Sequence, residues 1–433
     1  MQFGRRQFLR TSTIGGISLT ASPWSNLTIP GANDKINLGL IGANGMGFNN
    51  LRSFLKHTTC QCLGIADIDE NVYRRRAAEL EQAGHQTPKY YADYRQLLEN
   101  QDIDVVIIGT PDHWHCLQFV HALEAGKAIY IEKPIGNSIA EIDIMLRALK
   151  RYPRLVQVGQ WQRSQPHFVD AIAYVHSGAL GRIRTTKAWA YIDWKGAVPK
   201  VPNSPVPAGV NYAQWLGPAP DRAFNQNRFH FTWRWYWEYA GGVMTDWGVH
   251  LIDYILYGMQ AAVPKSILAL GGKMAYPDDD MVTPDTLHTV YDFGDFTLLW
   301  EHTIGIGNGY YGKGQGLSFV GDNGTLVLTR GGWEVIPEKN KLEKITVTKK
   351  AEDNGLDLHV INFITCLQQN TPQQLHAPLH VGRDVALVAQ MGNLAFRTGE
   401  KLNWDTAKNT FDSPAANRLI VPEYHHGLQL PKY

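Results

Sequence analysis

Gly42, Gly45 and Gly47 fall within six residues, directly after an uncharged apolar run over residues 36–41. This pattern suits phosphate binding. Glycines let a backbone approach a pyrophosphate, and a helix expected over residues 48–55 would aim unpaired N–H groups and its dipole at the anion. Asn44 stands where a Gly-x-Gly-x-x-Gly turn has its middle glycine, so Gly42, Asn44, Gly45, Met46 and Gly47 make an irregular version of that cradle. A second apolar run, residues 61–66, ends in Asp67, twenty residues past Gly47. A carboxylate there can accept from both hydroxyls of an adenosine ribose and repels a 2′-phosphate, which favours NAD over NADP. Asp69 competes for this role, Arg74, Arg75 and Arg76 could accommodate a phosphate, and Asp67 could instead cap a helix.

A third run, residues 105–108, opens into Thr110, Pro111, Asp112, His113, Trp114 and His115. Such a turn lies at the carboxyl edge of an α/β sheet, where ligands bind. Asp112 is expected to cap a helix over residues 116–125 that stops at Gly126. His113 and His115 have no third ligand at zinc-site spacing, so no metal is expected. The turn is read as covering a nicotinamide, with Thr110, Pro111 and His115 toward the cofactor and Trp114 toward substrate. The next strand, residues 128–131, delivers Glu132, Lys133 and Pro134 to the same edge. A lysine there is suited to acid–base or electrostatic work. Asp246 and His250 are four apart and would share a helix face. Asp253, one turn on, is expected to be structural.

The elements that must position these groups point to an α/β fold in two parts. Residues 31–156 alternate strand and helix patterns, as a doubly wound parallel sheet (Rossmann) requires. Residues 157–397 carry strands at 185–192, 287–293, 296–303 and 325–329, with helices at 359–367 and 381–396. That part reads as an α+β domain with a large, mainly antiparallel sheet. A chain of 433 residues can bury two such cores. Residues 398–433 form a tail without a motif. Residues 195–220, rich in Pro, Gly and Asn, read as a surface excursion. Seven of the thirteen tryptophans lie between Trp189 and Trp247, and the stretch from Phe229 to Tyr239, after the excursion, crowds several of them with other aromatics. These suit either a sugar-binding face or an oligomer interface. Arg163, Tyr236 and Tyr311 are further substrate-binding candidates, Tyr311 through a glycine-rich loop at 305–316.

Cys60, Cys62, Cys116 and Cys366 have neither metal nor disulfide spacing and read as free apolar thiols. A net charge of +1 gives no sign of a nucleic-acid partner. Residues 1–30 begin with Arg5-Arg6-Gln7-Phe8-Leu9-Arg10 and a mild apolar run, as in a twin-arginine export signal that would send a folded protein to the periplasm. The run is too short to span a membrane. An open antiparallel sheet would need covering, which suggests a homo-oligomer.

The glycine turn, Asp67, the Thr-Pro-x-x-x-His turn and Glu-Lys-Pro, in this order, resemble the Gfo/Idh/MocA family of NAD(P)-dependent oxidoreductases. The resemblance extends through Gly178-Ala179-Leu180-Gly181-Arg182-Ile183 and the stretch from Gly241 to His250. It implies a Lys-Asp-His constellation at Lys133, Asp246 and His250. Lys133 would polarise a carbinol oxygen, His250 would act as general acid/base, and Asp246 would orient His250 or bind a second hydroxyl. The implied activity is NAD-dependent oxidation of a sugar, cyclitol or glycoside; export of the folded protein would further require a cofactor loaded beforehand and held tightly. Two alternatives are an NAD-dependent glycoside hydrolase resembling the α-N-acetylgalactosaminidases and a binding protein without turnover.

Overall fold

The computed structural model describes residues 35–350 and 352–433. The first part is built on β1 (Ile36–Ile41), β2 (Cys60–Ala66), β3 (Lys89–Tyr91), β4 (Val105–Ile108), β5 (Ala128–Ile131) and β6 (Val156–Val158). All run parallel, in the order β3-β2-β1-β4-β5-β6. Between them lie α1 (Met46–Leu55), α2 (Glu70–Gln82), α3 (Tyr94–Leu98), α4 (Asp112–Glu124) and α5 (Ile139–Arg151). β4 and β5 are buried at every residue. That explains their unbroken apolar sequences, because helices cover both faces of a parallel sheet. The order in which strands are added to the sheet reverses between β1 and β4, which opens a crevice at their carboxyl ends.

The second part contains β7 (Ile183–Ile192), β8 (Ser266–Gly272), β9 (Thr286–Asp292), β10 (Thr297–Ile304), β11 (Gln315–Gly321), β12 (Gly324–Thr329), β13 (Gly332–Pro337), β14 (Ile345–Thr348), β15 (Leu402–Asp405) and β16 (Thr410–Phe411). They form one ten-stranded sheet, antiparallel except where β7 and β10 pair parallel. Its helices are α6 (Pro166–His176), α7 (Tyr212–Leu216), α8 (Val249–Met259), α9 (Gly355–Gln369), α10 (Leu379–Thr398) and α11 (Pro414–Arg418). β9 and β10 alternate buried and less buried residues. One face packs Leu298, Trp300 and Leu317 into the core with Ile252 and Ile255 of α8 and Leu387 of α10. The opposite face leaves Leu268, Leu270 and Val290 exposed.

Several segments cross between the two parts. β6 carries the parallel sheet to Val158. α9 packs Val360, Phe363 and Ile364 against Phe54 and Tyr130 of the first part. The C-terminal segment also returns there, with the Tyr424 hydroxyl donating to Glu141 at 2.6 Å. The excursion at 195–220 docks on the carboxyl edge of the parallel sheet. The Glu70 backbone N–H donates to the Gly209 carbonyl at 2.9 Å, and the Asn211 backbone N–H to that of Ile68 at 2.8 Å. No helix of the described residues is long and apolar enough to cross a membrane. The stretch read as an export signal lies outside the described residues.

Candidate active site

A cavity of about 660 Å³ lies between the two parts, at the carboxyl edge of the parallel sheet. Its nucleotide end is the glycine turn. Gly47 packs α1 against the turn so closely that a Cβ would sit 2.0 Å from the Gly42 carbonyl oxygen. Gly45 has the opposite surroundings: at φ 61° a Cβ there would meet nothing within 4 Å. Gly45 also caps α1 without any side-chain acceptor for the first N–H groups. The turn is thus tight where helix meets strand and open where an anion would approach, so these residues fit a dinucleotide's pyrophosphate. Gly42, Asn44, Gly45 and Met46 line the cavity, and Gly47 supports them from behind.

Asp67 lines the same end and accepts from the backbone N–H of Ala43 at 2.7 Å and of Asp69 at 3.0 Å. Burial pushes its carboxyl up to about 6, with those N–H donors opposing the rise. Asp69 is the cap of α2, accepting from Asn71, and does not line the cavity, so of these two carboxylates Asp67 is the one that faces it. Arg74 pairs with Glu70 and Arg76 with Glu79, while Arg75 donates to Asn44 Oδ1 at 3.2 Å. On the other side of Asn44, His230 from the second part sits 3.2 Å away and also contacts Asp69 at 3.2 Å.

At the reacting end, Lys133 follows directly on the buried strand β5, after Glu132. Glu132 is buried and accepts from Asn50 at 2.8 Å. Lys133 Nζ donates to the Asp246 carbonyl at 2.9 Å and to Asp246 Oδ1 at 3.0 Å. Arg234 Nε donates to the same Oδ1 at 3.3 Å. Burial works against the ionised form of Asp246, yet Lys133 and Arg234 hold its carboxyl well below the usual range. The shared Oδ1 leaves Oδ2 for a further donor, and the ammonium keeps one donor of its three. Burial, with Lys133 and Arg330 nearby, drives His250 well below the ordinary imidazole value, so it enters the cavity neutral. His250 Nδ1 is shut away without a partner, which makes Nε2 the nitrogen facing the cavity. Asp246 lies on a π-helical turn, Met244–Gly248, that runs into α8. The expected simple i,i+4 face is therefore wider than an α-helix provides, although both residues reach the cavity.

Thr110 and Pro111 line the cavity as expected, but several other expectations need correction. His115 is fully buried, its ring nitrogens 2.6 Å from the Pro134 carbonyl and 2.9 Å from that of Thr110. It ties the two turns together behind the cavity. α4 begins at Asp112, so Asp112 sits inside the first turn and makes no cap hydrogen bond. Trp114 touches the cavity, but its indole N–H is committed to the Trp215 carbonyl at 3.0 Å. Its polar atom braces the two parts rather than facing a substrate. Arg163 forks onto Asp253 at 2.7–3.1 Å and lies away from the cavity, so the two side chains are taken up by each other. Tyr236 is buried and donates to Asp280 at 2.8 Å, outside the cavity. Tyr311 packs against Trp189, also outside it. The walls at the reacting end instead include Trp161, Trp194, Trp233, Arg234, Trp247 and Arg330. Some signal for these was present. Trp161 lies two residues before Arg163, Trp233 and Arg234 belong to the aromatic run, and Trp247 follows Asp246. Arg330 precedes a Gly-Gly turn and had no other mark. No group of three or more potential metal ligands occurs among the described residues.

Residues 36–160 match the model of an oxidoreductase family's NAD-binding Rossmann fold, and residues 174–270 match the same family's C-terminal alpha/beta domain. A trans-1,2-dihydrobenzene-1,2-diol dehydrogenase of Oryctolagus cuniculus is 28% identical over 249 residues, 57% of this chain and 63% of that protein. A glycosyl hydrolase family 109 protein of Saccharopolyspora erythraea is 25% identical over 203 residues, 42% of this chain and 44% of that protein. These matches span less than two thirds of either relative. Among solved structures, a levoglucosan dehydrogenase in complex with NADH and levoglucosan superposes with a TM-score of 0.65 at 19% identity, over 86% of this chain and 99% of that one. An aldose–aldose oxidoreductase from Caulobacter crescentus, complexed with glycerol, gives 0.65 at 17% identity, over 85% and 99%. At such identities these two show a shared fold. With both family models matched in order, and the nucleotide cradle and Lys133 on the parts they describe, the chain belongs to the Gfo/Idh/MocA oxidoreductase family.

Proposed function

We propose that the protein is an NAD-dependent oxidoreductase that oxidises a hydroxyl of a sugar, cyclitol or glycoside. The observation that carries this reading is the meeting of Lys133, Asp246 and His250 in one cavity with an open nucleotide cradle. Gly45 and the α1 N-terminus would hold the pyrophosphate, and Asp67 the ribose, with NAD preferred over NADP. Bound NAD supplies a hydride acceptor; the proton is left to the protein. The free donor of Lys133 would bind the hydroxyl oxygen and stabilise negative charge growing on it. His250 would take the proton at Nε2, carrying its own at Nδ1. Asp246 fixes Lys133 in place and offers Oδ2 to a neighbouring hydroxyl. Tryptophan walls suit the CH-rich faces of a sugar ring.

The N-terminal twin-arginine pattern supports a periplasmic site of action, where a cofactor that dissociated would not be replaced. His230, bridging Asn44 and Asp69 across the nucleotide end, supports a retained dinucleotide. A second reading, a redox-assisted glycoside hydrolase, is favoured by the likeness to glycosyl hydrolase family 109 proteins. One experiment separates the two. Protein purified without added cofactor is denatured to identify any released dinucleotide, and the intact protein is given free sugars and aryl glycosides. Net nicotinamide reduction by a free sugar supports the oxidoreductase. Aglycone release without net redox change supports the hydrolase and sets the first reading aside.

A further inference from the structure

The β12–β13 hairpin, in which Thr329 pairs with Gly332, turns over Arg330 and Gly331. This tip presents Arg330 to the cavity that holds Lys133 and His250. Its guanidinium lies over Trp247, 4.8 Å from the ring centroid, and over Trp161 at 5.5 Å. Trp161 meets the His250 ring edge-on at 6.5 Å, so Arg330 stands one aromatic ring away from the reacting end.

The remaining cations of this cavity are matched by carboxylates: Lys133 and Arg234 by Asp246, and Arg95 by Asp93. Arg330 makes no ion pair or hydrogen bond among the described residues, and its Nε is closed off from solvent without an acceptor. Arg330 is half-buried, and even a guanidinium partly withdrawn from water without an anion carries a cost. Two indole faces hold this one in position and offset part of that cost. Such a cation is arranged to receive a charge that arrives with the ligand. The planar fork matches a planar carboxylate through two parallel N–H···O bonds. A single arginine, with no second cation stacked beside it, suits a monoanion rather than a phosphate dianion.

We propose that Arg330 is a specificity residue that binds the carboxylate of an acidic sugar, so that the substrate is a uronic acid or a glycoside of one. This rests on the sugar-oxidising reading above and narrows it. The test compares D-glucuronate, D-galacturonate and their methyl glycosides with the corresponding neutral sugars, using the full chain with its bound dinucleotide. Two signals are followed: nicotinamide reduction, and quenching of tryptophan fluorescence on binding. Uronates should be preferred by about 10- to 150-fold in kcat/KM, the range of a hydrogen bond to a charged group. Arg330→Met should bring that ratio toward one, chiefly through KM, and Arg330→Lys should restore part of it. Should Arg330→Met fail to fold, Arg330→Gln carries the comparison.

Neutral sugars that reduce the nicotinamide as well as uronates do would overturn the Arg330 assignment and leave the redox reading intact. A preference for uronates that survives in Arg330→Met would overturn it as well. Arg330-dependent binding of uronates without nicotinamide reduction would uphold the assignment and remove the redox reading. Neither binding nor reduction with any of these sugars would overturn both.

Discussion

Lys133, at the end of a strand in the nucleotide-binding part, donates to both the carbonyl and the carboxylate of Asp246, 113 residues later in the second part. One ammonium thus joins the two parts inside the cavity. Lys133→Met keeps the side chain's length and removes its charge. We expect turnover to fall by about 10²- to 10³-fold, the usual weight of one donor that stabilises developing charge, with dinucleotide content unchanged. Steady-state rates alongside the bound-nucleotide stoichiometry check this.

His250 sits well below the ordinary imidazole value because of burial and the nearby Lys133 and Arg330. A base held low stays unprotonated as the medium is acidified. The acid limb of the kcat/KM profile should therefore lie well below pH 6.5, and His250→Gln should abolish it along with most of the rate. A limb centred at or above pH 6.5 would remove His250 from the role of base.

Asp67, pushed up to about 6 by burial, bears on cofactor binding instead. Its ionised form accepts from ribose hydroxyls, so NAD affinity should weaken as pH falls through about 6. In the nucleotide-free protein the sign reverses: with a raised folded value, Asp67 favours folding most below its unfolded value near 3.8, and this is lost as pH rises through about 6. Asp67→Asn should flatten both trends and narrow the NAD-over-NADP preference, as read by calorimetric titration and thermal melts.

Much of the nucleotide half was legible in the sequence because its signals are local. A buried parallel strand, a glycine turn and a carboxylate at the next strand's end all lie within about thirty residues of a βαβ unit. The second half was legible as strands with alternating burial, and Asp246 and His250 were found beside each other. Its side-chain partners were not, since they are set by tertiary contacts between distant residues. Arg163 looked available to a substrate, but Asp253 lies ninety residues away and takes its whole fork. Tyr236 is lost to Asp280 in the same way. His115 had the right spacing for a nicotinamide turn, yet its ring is spent on two backbone carbonyls behind it. Arg330 was missed for the converse reason: nothing local shows that a hairpin tip will fold back between two tryptophans.

The Arg163–Asp253 pair separates structure from function. Its side chains are 11% and 2% exposed, and removing one member leaves the other charge buried. Arg163→Met should cost about 3–5 kcal/mol of stability in a denaturant titration. The KM for any sugar should stay the same when measured below the new unfolding midpoint.

Isotope transfer shows whether a substrate carbon gives its hydride to a resident nicotinamide in the Lys133–Asp246–His250 cavity. The protein is mixed for a single turnover with sugars deuterated at each ring carbon in turn, and the dinucleotide is recovered and weighed by mass spectrometry. One deuterium is expected on the dinucleotide from one ring position, and none in Lys133→Met. A dinucleotide free of deuterium, with a sugar that is nonetheless converted, would contradict such a transfer.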